Sequence, residues 1–366
     1  MKNEHTTRRE AIKRAVVAAG ALSANVSLAS TQPDSARVPL GLDCYSLRAM
    51  KWKSLPLIEY AAGQKLDAVL FNGLNYFESL ETTHLKRVKE TADAHGLRLY
   101  IGAGSISKSS TTFSGKFGSP EDLLVEAIRV AKTLGSPTIN VRIGNLNDRY
   151  TEGGIEKNIE ESVGVLRAIR NRAQDAGIKF GFENHAGDLR SEELLALIEA
   201  AGTDVCGVML DPGNALWAME DPMQQIQMLG KHVVCTSVRD YMVWPFPEGA
   251  IFQWTAIGQG LMDVPAFIKY MAELCPGVPL FVETISNSAR PIPFLTKDYW
   301  KGYPKLRAAG IVDFLALLRR GHPLEIVQPP VGIAKKTFDQ RYQRAEFEQS
   351  IAYLRRCCGA GNTNII

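Results

Sequence analysis

Four short segments, Phe180-Gly181-Phe182-Glu183, Val208-Met209-Leu210-Asp211, Val233-Val234-Cys235-Thr236-Ser237-Val238-Arg239 and Pro279-Leu280-Phe281-Val282-Glu283, each run apolar and then stop at a polar group. A strand covered on both faces reads as a continuous apolar run, and its polar residues surface only where it emerges. Glu183, Asp211 and Glu283 therefore mark the emergence points of three buried strands. Acids crowded at one mouth repel one another and raise each other's pKa unless a cation neutralises them, so the trio predicts a divalent metal. His185 lies two residues beyond Glu183 and shares its face if the strand persists. It is a candidate substrate ligand or acid/base, with a satisfied structural histidine as the alternative.

Positioning such groups requires the elements that carry them. Apolar runs predict strands at Val38–Asp43, Leu66–Phe71, Leu97–Ile101, Thr138–Ile143, Ile178–Glu183, Val205–Asp211, Val233–Val238 and Val278–Glu283. Between them, apolar residues recur at three and four, clearest over Pro120–Leu134 and Ile155–Ala176. Ser119-Pro120-Glu121-Asp122 places a cap, a proline and two acids where a helix starts, and Gly135, Gly177 and Gly202 stand where helices stop. Eight strands separated by helices predict an α/β chain folded as a (β/α)8 TIM barrel. The lack of a Gly-rich loop after the first strand argues against an open dinucleotide-binding sheet.

The expected organisation is a leader over residues 1–30, a single barrel domain over 36–322 and an extension over 323–366. Thr7-Arg8-Arg9-Glu10-Ala11-Ile12-Lys13, followed by the Ala-rich stretch to Leu28 and the small residues Ser27-Leu28-Ala29, has the form of a twin-arginine export signal, which predicts a periplasmic protein. That stretch is too short and too weakly apolar for a membrane span, so no stable anchor is expected. The alternative is a basic tail on a cytoplasmic protein. In the extension, Phe338–Arg355 reads as an amphipathic helix that packs on the barrel or on a sister subunit of a homo-oligomer.

With 42 Lys and Arg against 39 Asp and Glu, the charge is nearly balanced, and part of the small excess sits in the leader. No basic face points to nucleic acid. The six cysteines show neither zinc-knuckle spacing nor a dense disulfide framework, and four of them fall in or beside the predicted elements as small buried residues. The long segment Tyr241–Met262 reads as a loop on the catalytic face, where Trp244, Phe246, Phe252, Gln253 and Trp254 could wall a pocket or simply pack the loop onto the rim. A second irregular segment, Ser286–Pro304, offers Arg290, Lys297 and Tyr299. Arg142, at the end of the fourth strand, Asn214, Ser237 and Arg239 complete the candidate substrate contacts.

The succession Glu183-Asn184-His185, Asp211-Pro212-Gly213-Asn214, a Val-Val strand closing on Arg239-Asp240, Gly258-Gln259-Gly260-Leu261-Met262-Asp263 and a strand ending in Glu283 resembles the xylose isomerase-like TIM barrels, the sugar phosphate isomerase/epimerase superfamily. The likeness runs from Leu40 to about Leu318 in element order. In that family two Glu, one Asp and one His bind a divalent cation, so the resemblance implies Glu183, Asp211 and Glu283 as ligands. Where relatives have the His, this chain has Ser237, and Gln253 and His185 are candidates to complete the shell. An oxygen-rich set suits Mn2+ or Mg2+, with Co2+ or Zn2+ as alternatives.

The chemistry the resemblance implies is enolisation. A polarised carbonyl acidifies the neighbouring C–H, Glu183 and Glu283 act as the proton-transfer pair, and an enediolate collapses to an isomer or epimer of a keto-sugar. A β-leaving group would instead make the enzyme a lyase, dehydratase or hydratase acting on an oxidised sugar or glycoside. Export favours free over phosphorylated sugars. A non-catalytic sugar-binding barrel, motivated by Ser237, is the reading from another class. An apurinic endonuclease would require several metal-binding His and a basic groove.

Overall fold

The computed structural model describes residues 37–361 of the 366. The leader expected over residues 1–30 lies outside the described residues. Eight parallel strands form one sheet: β1 (Leu40–Asp43), β2 (Ala68–Phe71), β3 (Arg98–Ser105), β4 (Thr138–Arg142), β5 (Lys179–Glu183), β6 (Cys206–Leu210), β7 (Val233–Thr236) and β10 (Leu280–Val282). All but β3 fall within a predicted apolar run; β3 begins in one, Leu97–Ile101, and continues four residues past its predicted end to Ser105. β10 pairs with β1, and the chain beyond β7 closes the circle. There the Val238 amide donates to Phe281 and the Glu283 amide donates to Val238, at 2.7 and 2.9 Å. The result is the eight-stranded barrel that the alternation of strands and helices predicts.

The core has two parts. A large cluster of aliphatic and aromatic side chains joins the outer faces of the strands to the helices, and a small one, Ala68, Leu70, Tyr100, Met209, Cys235 and Phe281, plugs the barrel interior. The plug leaves little room. A Cβ at Gly41 would collide with the Phe281 ring, which is why β1 carries a glycine there. Helix Pro120–Leu134 starts as expected: Ser119 Oγ accepts from the Asp122 amide at 3.1 Å, and the Asp122 carboxylate accepts from the Ser119 amide at 3.0 Å.

Two regions depart from the expected outline. The segment Tyr241–Met262 is not an irregular loop. It contains the antiparallel pair β8 (Asp240–Phe246) and β9 (Gly249–Thr255), which β11 (Arg290–Ile292) extends to three strands. The C-terminal helix runs over Lys335–Cys358, longer than the predicted span, and buries Phe347, Ile351 and Leu354. It packs on the barrel, where Gln343 Oε1 accepts from the Ala49 amide at 2.9 Å and Ser350 Oγ from the Ile257 amide at 3.0 Å. Among the described residues no helix is long and apolar enough to cross a membrane. Cys44, Cys206, Cys235 and Cys275 are buried thiols, as their positions in the sequence suggested.

Candidate active site

At the carboxyl ends of the barrel strands lies a cavity of about 480 Å3. Strands β4, β5 and β10 deliver Arg142, Glu183 and Glu283 to its wall. His185, Asn214 and Arg239 come from the segments that follow β5, β6 and β7, and Trp254 comes from the end of β9. With Arg290, eight of the residues singled out in the sequence therefore meet in one place. Asp211 and Ser237 are fully buried just beneath them. Gln253 is not among the residues lining the cavity; it lies buried in the hairpin opposite Met242. Of the other aromatic residues expected to wall a pocket, Phe252 packs edge-on between Trp217 and Trp254, and Trp244 and Phe246 do not reach the cavity. Arg290 does line it, whereas Lys297 and Tyr299 do not.

The strand ends are stitched together before any chemistry is built on them. Asn184 and Asp211 exchange two hydrogen bonds, Asn184 Nδ2 to the Asp211 carbonyl at 2.8 Å and the Asp211 amide to Asn184 Oδ1 at 3.0 Å. Asp211 then caps the short helix Pro212–Ala215, accepting from the Asn214 amide at 3.0 Å and from Asn214 Nδ2 at 2.7 Å. Asp240 is a structural acid. It gathers the amides of Tyr241, Gly258, Gly260 and Met262 and so organises the Gly258-Gln259-Gly260 turn.

The expected metal ligands do not form a free ligand set. Arg239 Nη2 donates to Asp211 and forms an ion pair with Glu283, and the guanidinium lies over the Trp254 ring, 4.0 Å from the centroid. Burial works against its charge, but Asp211 and Glu283 outweigh burial and hold the guanidinium above its ordinary pKa. Ser237 Oγ lies 3.0 Å from both Asp43 Oδ2 and Glu283 Oε2. Burial and then Glu283 push Asp43 well above the ordinary carboxylate range. Among the described residues no group of three or more His, Cys, Asp or Glu is placed to hold a metal ion. The donors thus do not fit a divalent cation: the position between Asp211 and Glu283 already holds a cation, and the fourth ligand is a serine engaged elsewhere.

Glu183 differs from Glu283. Its oxygens have only loose partners, Asn214 Nδ2 at 3.4 Å and Arg142 Nη1 at 3.9 Å. Burial raises its pKa well above the ordinary value; Arg142 and Arg239 pull it back, and Asp211 and Glu283 push it further up. His185 donates from Nδ1 to the Gly144 carbonyl. A carbonyl can only accept, so the proton sits on Nδ1 and Nε2 is left as an acceptor. Burial, with Arg142 adding repulsion, keeps the ring neutral. Asp43, Tyr45, Asn72, Tyr76 and Trp217 are site residues that the sequence reading missed. Asp43 ends the apolar run Val38–Asp43 just as Glu183 ends its own, so the signal was there.

An eight-stranded parallel barrel with a carboxylate cluster at the carboxyl ends of its strands defines the class. The chain belongs to the family described as xylose isomerase-like TIM barrel, whose profile matches residues 59–309. A 3-oxo-isoapionate decarboxylase of Pectobacterium atrosepticum is 22% identical over 192 residues, covering 52% of this chain and 62% of that protein. The chain thus spans about three-fifths of that curated relative. Among solved structures, a D-psicose 3-epimerase in the presence of D-fructose superimposes with a TM-score of 0.56 at 15% identity, covering 88% of this chain and 100% of that one. The IolI protein with a bound zinc atom superimposes at 0.53 and 16%, covering 78% and 100%. At these identities the structures establish the fold.

Proposed function

We propose that this protein is an enzyme that moves a proton at the carbon beside the carbonyl of a small keto-sugar, as an isomerase or epimerase. The observation that carries the reading is Glu183: a loosely held carboxyl with a raised pKa at the wall of a polar cavity, 3.9 Å from the guanidinium of Arg142, on a cavity that His185 also lines. Glu183 takes the C–H proton. The electron pair of that bond moves to the carbonyl oxygen, and Arg142 donates a hydrogen bond to the negative charge that develops there. Return of a proton to the other face gives the epimer, and return to the former carbonyl carbon, with the adjacent hydroxyl's proton passing to the former carbonyl oxygen, gives the isomer. Glu283, held by Ser237 and Arg239 on the same cavity, is the second member of the pair, and His185 with Asn214 binds a sugar hydroxyl.

A second reading draws on one specific feature. Arg290 lines the cavity over the Trp254 ring, 3.8 Å from its centroid, and has no carboxylate within ion-pair distance among the described residues. Burial pushes it down to about 9, and Arg239 and Arg48 add repulsion. An anionic substrate relieves both effects, so an oxidised sugar carrying a carboxylate fits here, in keeping with the decarboxylase among the relatives. Loss of CO2 from a 3-oxo acid passes its electron pair to the same carbonyl oxygen, and protonated Glu183 then quenches the enolate. Incubation with neutral keto-sugars and with 3-oxo sugar acids, analysed by chromatography coupled to mass spectrometry, separates the two. A mass-neutral change supports the first reading, release of CO2 supports the second, and turnover of neither class contradicts both. We also place the enzyme in the periplasm, on the strength of Arg8-Arg9 and the stretch that follows.

A further inference from the structure

We propose that the guanidinium of Arg239 is the resident cation of this barrel mouth, standing among the carboxylates that family resemblance assigns to a divalent metal, and that it offers its free N–H groups to the substrate carbonyl. The side chain is not there by chance, because its place is built on every side. Gly213 leaves room for the stem: a Cβ at that position would lie 2.7 Å from Arg239 Cδ and 2.9 Å from Nε. Trp254 supports the face of the guanidinium and is itself fixed by donating from Nε1 to the Gly213 carbonyl at 2.8 Å. Asp211 and Glu283 neutralise the charge through contacts at Nη2.

Ser237 completes the arrangement. Two residues before Arg239 on an extended segment, it faces the same side, and it presents a small hydroxyl where an imidazole would crowd the guanidinium. The second half of the inference rests on two unpaired atoms. Arg239 Nε and Nη1 are buried without a hydrogen-bond partner, although the residue borders the cavity. Unpaired donors in a buried position are rare and mark a site that a ligand completes. A carbonyl oxygen that becomes an enolate oxygen is such a partner. This assignment of the free N–H groups rests on the enolising reading above, whereas the occupation of the metal position by Arg239 does not.

The test is Mn2+ titration, followed by electron paramagnetic resonance of the free ion, on the full mature chain and on two variants. Wild type is expected to bind no Mn2+ at micromolar concentrations. Arg239→Ala combined with Ser237→His is expected to bind it about 10- to 100-fold more tightly than wild type. Gly213→Ala keeps every acid and displaces Arg239 by the contacts above, so it is expected to shift affinity in the same direction should the double variant fail to fold. Stoichiometric Mn2+ in wild type, with affinity unchanged or weakened in the variants, overturns the proposal. Turnover is read separately: absent activity with absent metal binding defeats the enolising reading alone, and bound metal in an active wild type defeats the resident-cation reading alone.

Discussion

In the proposed mechanism Glu183 moves the proton, Arg142 and the free N–H groups of Arg239 meet the developing charge, and Arg239 also balances the buried acids, work that one metal centre would otherwise do. Arg142→Ala is expected to lower kcat/KM about 10- to 100-fold, the worth of one charged hydrogen bond, with the melting temperature nearly unchanged; steady-state kinetics on the identified substrate measure it. Glu220 illustrates how burial sets pH behaviour. It is buried, accepts from the Ser191 amide at 3.0 Å, and is pushed by burial from the ordinary 4.5 to about 7 against the opposing pull of Arg190. The folded state therefore holds its proton more tightly than the unfolded chain does. Its contribution to stability is complete below pH 4.5 and is lost as pH rises toward 7, at up to about 1.4 kcal/mol per pH unit. Denaturant titrations at several pH values should show this slope in wild type and a shallower one in Glu220→Gln.

At the scale of elements, the barrel strands were legible because a strand buried on both faces cannot hide polar residues, and the acids that end such runs announce themselves. The β8–β9 hairpin was misread for a nameable reason. Asp240-Tyr241-Met242-Val243-Trp244 and Gly249-Ala250-Ile251-Phe252-Gln253-Trp254 are β-rich runs separated by a short turn, but their Pro, Gly and aromatic content resembles an ordered loop. Gln253 was accordingly misplaced: its neighbour Trp254 reaches the cavity, and alternation along the strand sends Gln253 the other way. The resident position of Arg239 was not legible, since it depends on the space at Gly213 and on the stack with Trp254, partners far apart in sequence. Helix starts are local and were read correctly. Ser119→Ala removes both hydroxyl contacts of the capping box and is expected to cost about 1 kcal/mol in denaturant midpoint measurements, with activity unaffected.

At the scale of the molecule, the C-terminal helix is part of the barrel's support. Phe347 is fully buried and lies 6.1 Å, centroid to centroid, from Tyr60 of helix Ser54–Gly63, while Ser350 holds the Ile257 amide beside the hairpin that carries Trp254. Phe347→Ala is expected to cost about 3–5 kcal/mol, as large-to-small core substitutions do, and thermal unfolding followed by circular dichroism reads it directly. The whole arrangement serves one chemical claim, proton transfer at the carbon beside a carbonyl with Glu183 as the base. Its most direct measurement is proton NMR of a turned-over keto-sugar or sugar acid in D2O, comparing wild type with Glu183→Gln. The account predicts deuterium at the carbon beside the carbonyl with wild type and none with the folded variant. Turnover without deuterium in wild type, or undiminished labelling by Glu183→Gln, would contradict it.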